Sequence, residues 1–145
     1  MNSPTPPTKP GEWSLAQIIE ALSRPLPNNY LKQLKDKGNC SYIPWYRANR
    51  ILDKYCPGWT WEIKQTLLSE DRIFLIGRLT IPTSEGLQHR EASGTESLKR
   101  TVWNKEEEIL EEKELAYGDP SSNAESMAFR RCAAKFGLGL YLYEK

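Results

Sequence analysis

The sequence of 145 residues predicts an α+β fold in which helices come first, three antiparallel strands follow and a last helix closes the chain. Three observations predict it. Apolar residues recur at helical spacing up to Tyr55, the period changes to two from Trp59, and helical spacing returns after Asp119.

Each element has its own local reason. The first twelve residues are rich in proline and are expected to form a flexible lead-in to one domain spanning residues 13–145. Ser14 and Gln17 have the form of a capping box, and Leu15, Ile18, Ile19 and Leu22 then share a helical face that ends near Pro25. A short second helix is expected over Asn29 to Lys35. At Cys40 an extended run meets Pro44, a favoured first helical residue, and the helix that follows closes before Pro57. Ala48, Ile51, Leu52 and Tyr55 give that helix an apolar face. Trp59, Trp61, Ile63 and Leu67 alternate with polar residues as a half-buried strand does, and the two tryptophans read as core or subunit contacts rather than base-stacking platforms. A turn over Ser69 to Arg72 leads to a strand from Ile73 to Ile81, and Pro82 to Gly86 turns into a third from Leu87 to Thr95. The acidic stretch at about 104–116 is expected to be a solvated helix or mobile linker, or else an electrostatic lid over a basic groove. After the Asp119-Pro120 turn, Ser122 and Glu125 propose a second capping box. Phe129, Cys132 and Phe136, with Ala128 and Ala133, form a stripe to be buried, and Gly137 and Gly139 stand where a helix ends in a left-handed cap.

Cations are segregated from these apolar stripes. On the helix after Pro44, Arg47, Arg50 and Lys54 form a separate stripe at i, i+3, i+7. On the last helix Arg131 and Lys135 share a face, with Arg130 beside it. The formal net charge of +1 hides a division along the chain. Residues 24–54 hold seven cations against two carboxylates, whereas residues 105–119 hold two cations against seven carboxylates. Screening limits each patch to about 8–10 Å, so a local basic field still attracts a polyanion.

The ordered motifs YIPWYRANRILDKYCPGWTWE and YGDPSSNAESMAFRRCAAKFGLGLYLY resemble the annealing domain of the Rad-fifty-two family of DNA-repair proteins, nearest to the short bacterial and phage proteins of the DdrA type. The resemblance covers residues 13–145. It implies an antiparallel β-β-β-α core with N-terminal helices, assembly of a homo-oligomer into a ring or filament, and pairing of complementary single-stranded DNA without nucleotide hydrolysis. Carried over by position, Arg47 matches an arginine of the family's inner DNA groove, and Arg130 and Arg131 match its paired basic residues on the last helix. A further family arginine falls on Ala134, and Lys135 beside it is turned by about 100° on a helix of 3.6 residues per turn. The sequence ends at Lys145, so mediator activity, which the family places in a longer recombinase-binding tail, is not expected.

The nucleic-acid-binding set is therefore Arg47, Arg50, Lys54, Arg130, Arg131 and Lys135. No catalytic residue, metal or cofactor is assigned. Single-stranded DNA, further copies of the chain, and replication or recombination proteins are the expected partners. Arg78 and Arg90 are candidates for an outer site. Cys40, Cys56 and Cys132 have no metal-ligand spacing and read as reduced thiols of a soluble cytoplasmic protein, with no membrane-spanning run. No G-x-x-x-x-G-K-[ST] loop occurs. Two other classes compete: a scaffold module docking an acidic partner through the basic stripes, and a metal-dependent nuclease using Glu106 to Glu108 and Asp119.

Overall fold

The structure, a computed structural model, describes residues 5–34, 40–114 and 120–144. Its organising element is a three-stranded antiparallel sheet of β3 (Thr60–Leu68), β4 (Arg72–Thr83) and β5 (Gly86–Ser97), with β4 in the centre. Along β4, Ile73, Leu75, Gly77, Leu79, Ile81 and Thr83 are buried while the residues between them are not. This is the period-two pattern of a sheet with one covered face. The covering element is α3 (Pro120–Lys135), which lies across β5 and β4. Its expected stripe of Ala128, Phe129, Cys132, Ala133 and Phe136 is buried. The antiparallel β-β-β-α core is therefore present, as the alternation and the resemblance both predicted.

Two glycines permit the close layers. A Cβ on Gly94 of β5 would stand 1.8 Å from the carbonyl oxygen of Ala124, so α3 rests its backbone directly on the sheet there. A Cβ on Gly77 would stand 2.0 Å from the ring of Trp61, which occupies that position. Trp61 then meets Phe129 edge-on at 5.2 Å between ring centroids, and Trp59 reaches the same phenyl ring at 5.7 Å. Both tryptophans thus pack into the seam between β3 and α3.

The remaining helices close the other end of the core. In α1 (Leu15–Leu22) the predicted capping box forms, with Gln17 N–H donating to Ser14 Oγ and Ser14 N–H donating to Gln17 Oε1. Ile18 and Leu22 from α1, Ala48 and Leu52 from α2 (Trp45–Tyr55), and Phe136 and Leu138 meet Leu79 and Ile81 of the sheet. The tip of the β4–β5 hairpin is stitched to the chain's beginning. Glu85 Oε1 accepts from the N–H of Leu15 at 2.8 Å, and Ser84 N–H donates to the carbonyl of Trp13 at 2.9 Å. In the lead-in, Pro7 is buried and Thr8 N–H donates to Glu12.

Several local expectations are corrected. Residues 29–34 form no α-helix: a 3-10 turn at Asn28–Tyr30 is followed by β1 (Lys32–Leu34), which pairs with β2 (Cys40–Tyr42). Here strand pairing overrides local helical propensity, and residues 35–39 lie outside the described part. Pro44 is the residue before α2 and not its first, with ψ at 143°. Because α3 already starts at Pro120, Ser122 sits inside it, and the Glu125 carboxylate accepts instead from Trp61 Nε1 at 2.8 Å. Asp119 lies outside the described residues. The alternation in β3 also fails midway. A bulge between Ile63 and Gln65 inserts one residue, so Leu67 faces Phe74 on the open side of the sheet and Leu68 takes the other side. Finally, the acidic stretch as far as Glu114 is neither helix nor loose linker, and residues 115–119 lie outside the described part. The stretch belongs to a hairpin of β6 (Lys99–Asn104) and β7 (Ile109–Glu114), whose turn carries Glu108 at φ 53°.

Candidate nucleic-acid interface

The cations of α2 lie where the core pattern leaves them. Ala48 and Leu52 point into the core, so Arg47, Arg50 and Lys54 are turned outward by the helical repeat. They face the segment after α1, and between the two lies a cleft of about 740 Å³. Arg24 from that segment joins them, which puts four cations in one cleft. Among the described residues no carboxylate lines it. The acid on α2, Asp53, accepts from Trp59 Nε1 at 2.7 Å and is not part of the cleft lining.

Tyrosines hold these cations in place. The Arg47 guanidinium stands 5.6 Å from the Tyr30 ring and 6.0 Å from the Tyr46 ring, and it donates to the carbonyl of Asn29. Lys54 lies 5.1 Å from the Tyr55 ring, and Lys32 lies 5.5 Å from that of Tyr46. Each ring face attracts a cation without cancelling its charge. The result is a fixed row of positive groups interleaved with aromatic surface.

Arg130 and Arg131 line a second cleft, of about 400 Å³, walled by Tyr42, Ile43, Leu142 and Tyr143. Arg130 stacks over Tyr42 at 5.0 Å. Burial pulls its guanidinium below the usual arginine range, with Tyr143 and Tyr42 acting in the other direction. Leu138 lines both clefts, and α2 stands between them, showing Ala48 to one and Arg47 to the other. The two arginine groups are thus neighbours across a shared wall, in two clefts rather than one trough. Arg131 Nη1 donates to the Ser93 carbonyl at 3.0 Å, and Lys135 Nζ donates to the Glu91 carbonyl at 2.7 Å. Their head groups are tied to β5.

No family model matches the sequence. Among curated proteins, the chain is 37% identical over 136 residues to the chloroplastic DNA repair RAD52-like protein 2 of Arabidopsis thaliana, covering 90% of this chain and 61% of that protein. It is 32% identical over 142 residues to the mitochondrial DNA repair RAD52-like protein 1 of the same plant, covering 96% of this chain and 73% of that one. The chain belongs to the RAD52-like family. It spans about three fifths of the length of the chloroplastic relative.

In this RAD52-like chain the sequence motifs located both clusters but missed two features of them. Arg24 lies outside the motifs, between a helix and Pro25, and its only signal was the positive excess of residues 24–54. Tyr30 was missed as a partner of Arg47 because it sits in the segment read as helical, and Tyr55 because it was read as part of the buried face of α2. Arg78 and Arg90, the candidates for an outer site, stand on opposite faces of the sheet. Arg78 is ion-paired to Glu91 at 2.8 Å, whereas Arg90 stands opposite Leu79 on the covered face, over the Phe136 ring at 4.9 Å.

Proposed function

We propose that this RAD52-like chain acts in DNA repair and recombination by binding single-stranded DNA and promoting the annealing of complementary strands, without nucleotide hydrolysis. The observation that carries this reading is the cleft of Arg24, Arg47, Arg50 and Lys54 interleaved with Tyr30, Tyr46 and Tyr55, with no carboxylate among its described lining. Annealing requires that phosphates be held while base edges stay exposed, and cations fixed on rigid elements do this. Arg130 and Arg131 extend the positive surface beyond the Leu138 wall, and Lys135 adds to it from the same helix. Repeating such a surface around a homo-oligomer turns successive contacts into intramolecular ones and raises avidity.

The free edge of β3 is the natural joining surface. It carries Ile63, Leu67 and Leu68 exposed, whereas two carbonyls of the opposite edge strand, β5, already accept from Arg131 and Lys135. On this reading the assembly is a ring or filament of the short DdrA type, and it works beside replication or recombination proteins.

The test is the salt dependence of oligothymidine binding. Contact with three to five phosphates per subunit gives a slope of about −2 to −3.5, at about −0.7 per phosphate. The double variant Arg47→Ala, Arg50→Ala should make that slope shallower by about 1.4 and slow annealing of complementary oligonucleotides. An unaltered slope would remove the α2 stripe from the interface.

A further inference from the structure

A third cavity, of about 260 Å³, opens between the start of α2, β3 and α3, and neither arginine cluster reaches it. Trp45, Trp59, Trp61 and Phe129 line it, with Asn49 and Ser126 supplying an amide and a hydroxyl. Three of the four rings are accounted for by packing, since Trp59 and Trp61 both rest on Phe129. Trp45 is different. It is 52% exposed, and its ring contact is an edge-on one with Tyr46 at 5.9 Å. A large aromatic left half in water is a more informative feature than a buried one.

Trp45 and Tyr46 link the two sites. Tyr46 lines the basic cleft and lies beside Arg47 and Lys32, while its neighbour Trp45 lines the aromatic cavity. Trp45 is turned about 160° from Arg47 by the helical repeat, so a strand on the α2 cations reaches it only by crossing Tyr46 at the start of the helix. The cavity falls below the range of about 300–1,000 Å³ that holds a drug-sized ligand, so it suits one flat ring system. Its own carboxylate, Glu125, is engaged by Trp61 Nε1 and offers nothing to a phosphate.

The geometry points to a base-stacking shelf: the Trp45 cavity takes the face of one unpaired nucleobase from the strand held in the Arg47 cleft. The inference rests on the single-strand reading above and names a site within it. Stacking through the face leaves the pairing edge of the base exposed, as annealing requires. It is also indifferent to sequence, because every base has a π-face.

Fluorescence anisotropy with labelled oligothymidine, and with an abasic phosphodiester strand of equal length, separates this shelf from the phosphate track. The wild-type chain should bind the base-bearing strand about 5- to 100-fold more tightly than the abasic one. Trp45→Ala should remove most of that preference without altering the salt slope, and Trp45→Phe should keep much of it. Equal binding of both strands by the wild-type chain overturns the shelf, whatever the stability of the variants, while leaving the phosphate track standing. A Trp45→Ala chain that keeps its preference for bases also overturns it. Absence of any salt-dependent binding to either strand overturns the parent reading and the shelf with it.

Discussion

Phe136 shows how much a single side chain carries here. Its ring is fully buried among α1, α2 and the sheet, and its outer face is covered by the Arg90 guanidinium. Phe136→Ala should cost about 3–5 kcal/mol in chemical denaturation, as truncation of a buried aromatic does. Cys56 and Cys132 are equally enclosed, and burial pushes their thiols up from 9.0 to about 12 and about 11. The unfolded thiol ionises first, so the folded state binds more protons above pH 9. Stability is therefore retained below pH 9 and falls as pH rises towards 12, a fall that Cys56→Ala should reduce in thermal melts across that window. Both thiols should also resist alkylation until the chain unfolds. Cys132 was legible as a packing residue because it lies at helical spacing between Phe129 and Phe136. Arg24 was not, because a lone arginine before a proline has no periodicity and becomes meaningful only when α2 is folded against it.

At the scale of elements, α3 depends on the absence of a side chain opposite it. Gly94→Ala would drive a methyl group into the Ala124 carbonyl, and overpacking of this kind should destabilise the fold by about 1–3 kcal/mol. Denaturant titration of this variant beside an Ala substitution at the open Gly86, whose φ is 111°, separates packing from backbone strain. The long elements could be read from the sequence: α1, α2, α3 and the three strands of the main sheet each repeat a period over several residues. The short ones could not. The β1–β2 pair has three residues per strand and gains its pairing from partners outside its own window. The bulge at Ile63/Gln65 shifts the parity of β3 without leaving a composition mark, and the glutamate-rich β7 reads as solvated helix until β6 is seen alongside.

For the whole molecule, the main uncovered apolar surface among the described residues lies at one end of the sheet. Leu67, 53% exposed, stands opposite the exposed Phe74 on the open face, while Leu68, 71% exposed, and Ile63 turn to the other face of the same edge strand. Large apolar residues grouped at an unpaired strand edge mark a surface that meets another chain. Replacing Leu67 and Leu68 together by lysine should lower the mass measured by light scattering towards that of a monomer, while leaving the thermal midpoint within a few degrees. A variant of unchanged mass would place the joining surface elsewhere. The charge pattern was legible at this scale too, since the positive excess of residues 24–54 gathers at α2, but the wall between the two arginine clefts was not. Leu138 lies beyond the end of α3 and enters both clefts only because Gly137 and Gly139, at φ 109° and 70°, fold the chain back beneath α2.

The bonds from Ser84 and Glu85 to Trp13 and Leu15 join positions some seventy residues apart. A nascent chain thus extends its first helix long before the hairpin that receives it has been made, and closing so wide a loop is slow. Arg24 hangs from the far end of that helix. The cleft between that helix and α2 is accordingly a late acquisition in the life of each molecule, and a chain arrested before residues 13–15 meet the hairpin carries the charges without the cleft that gathers them.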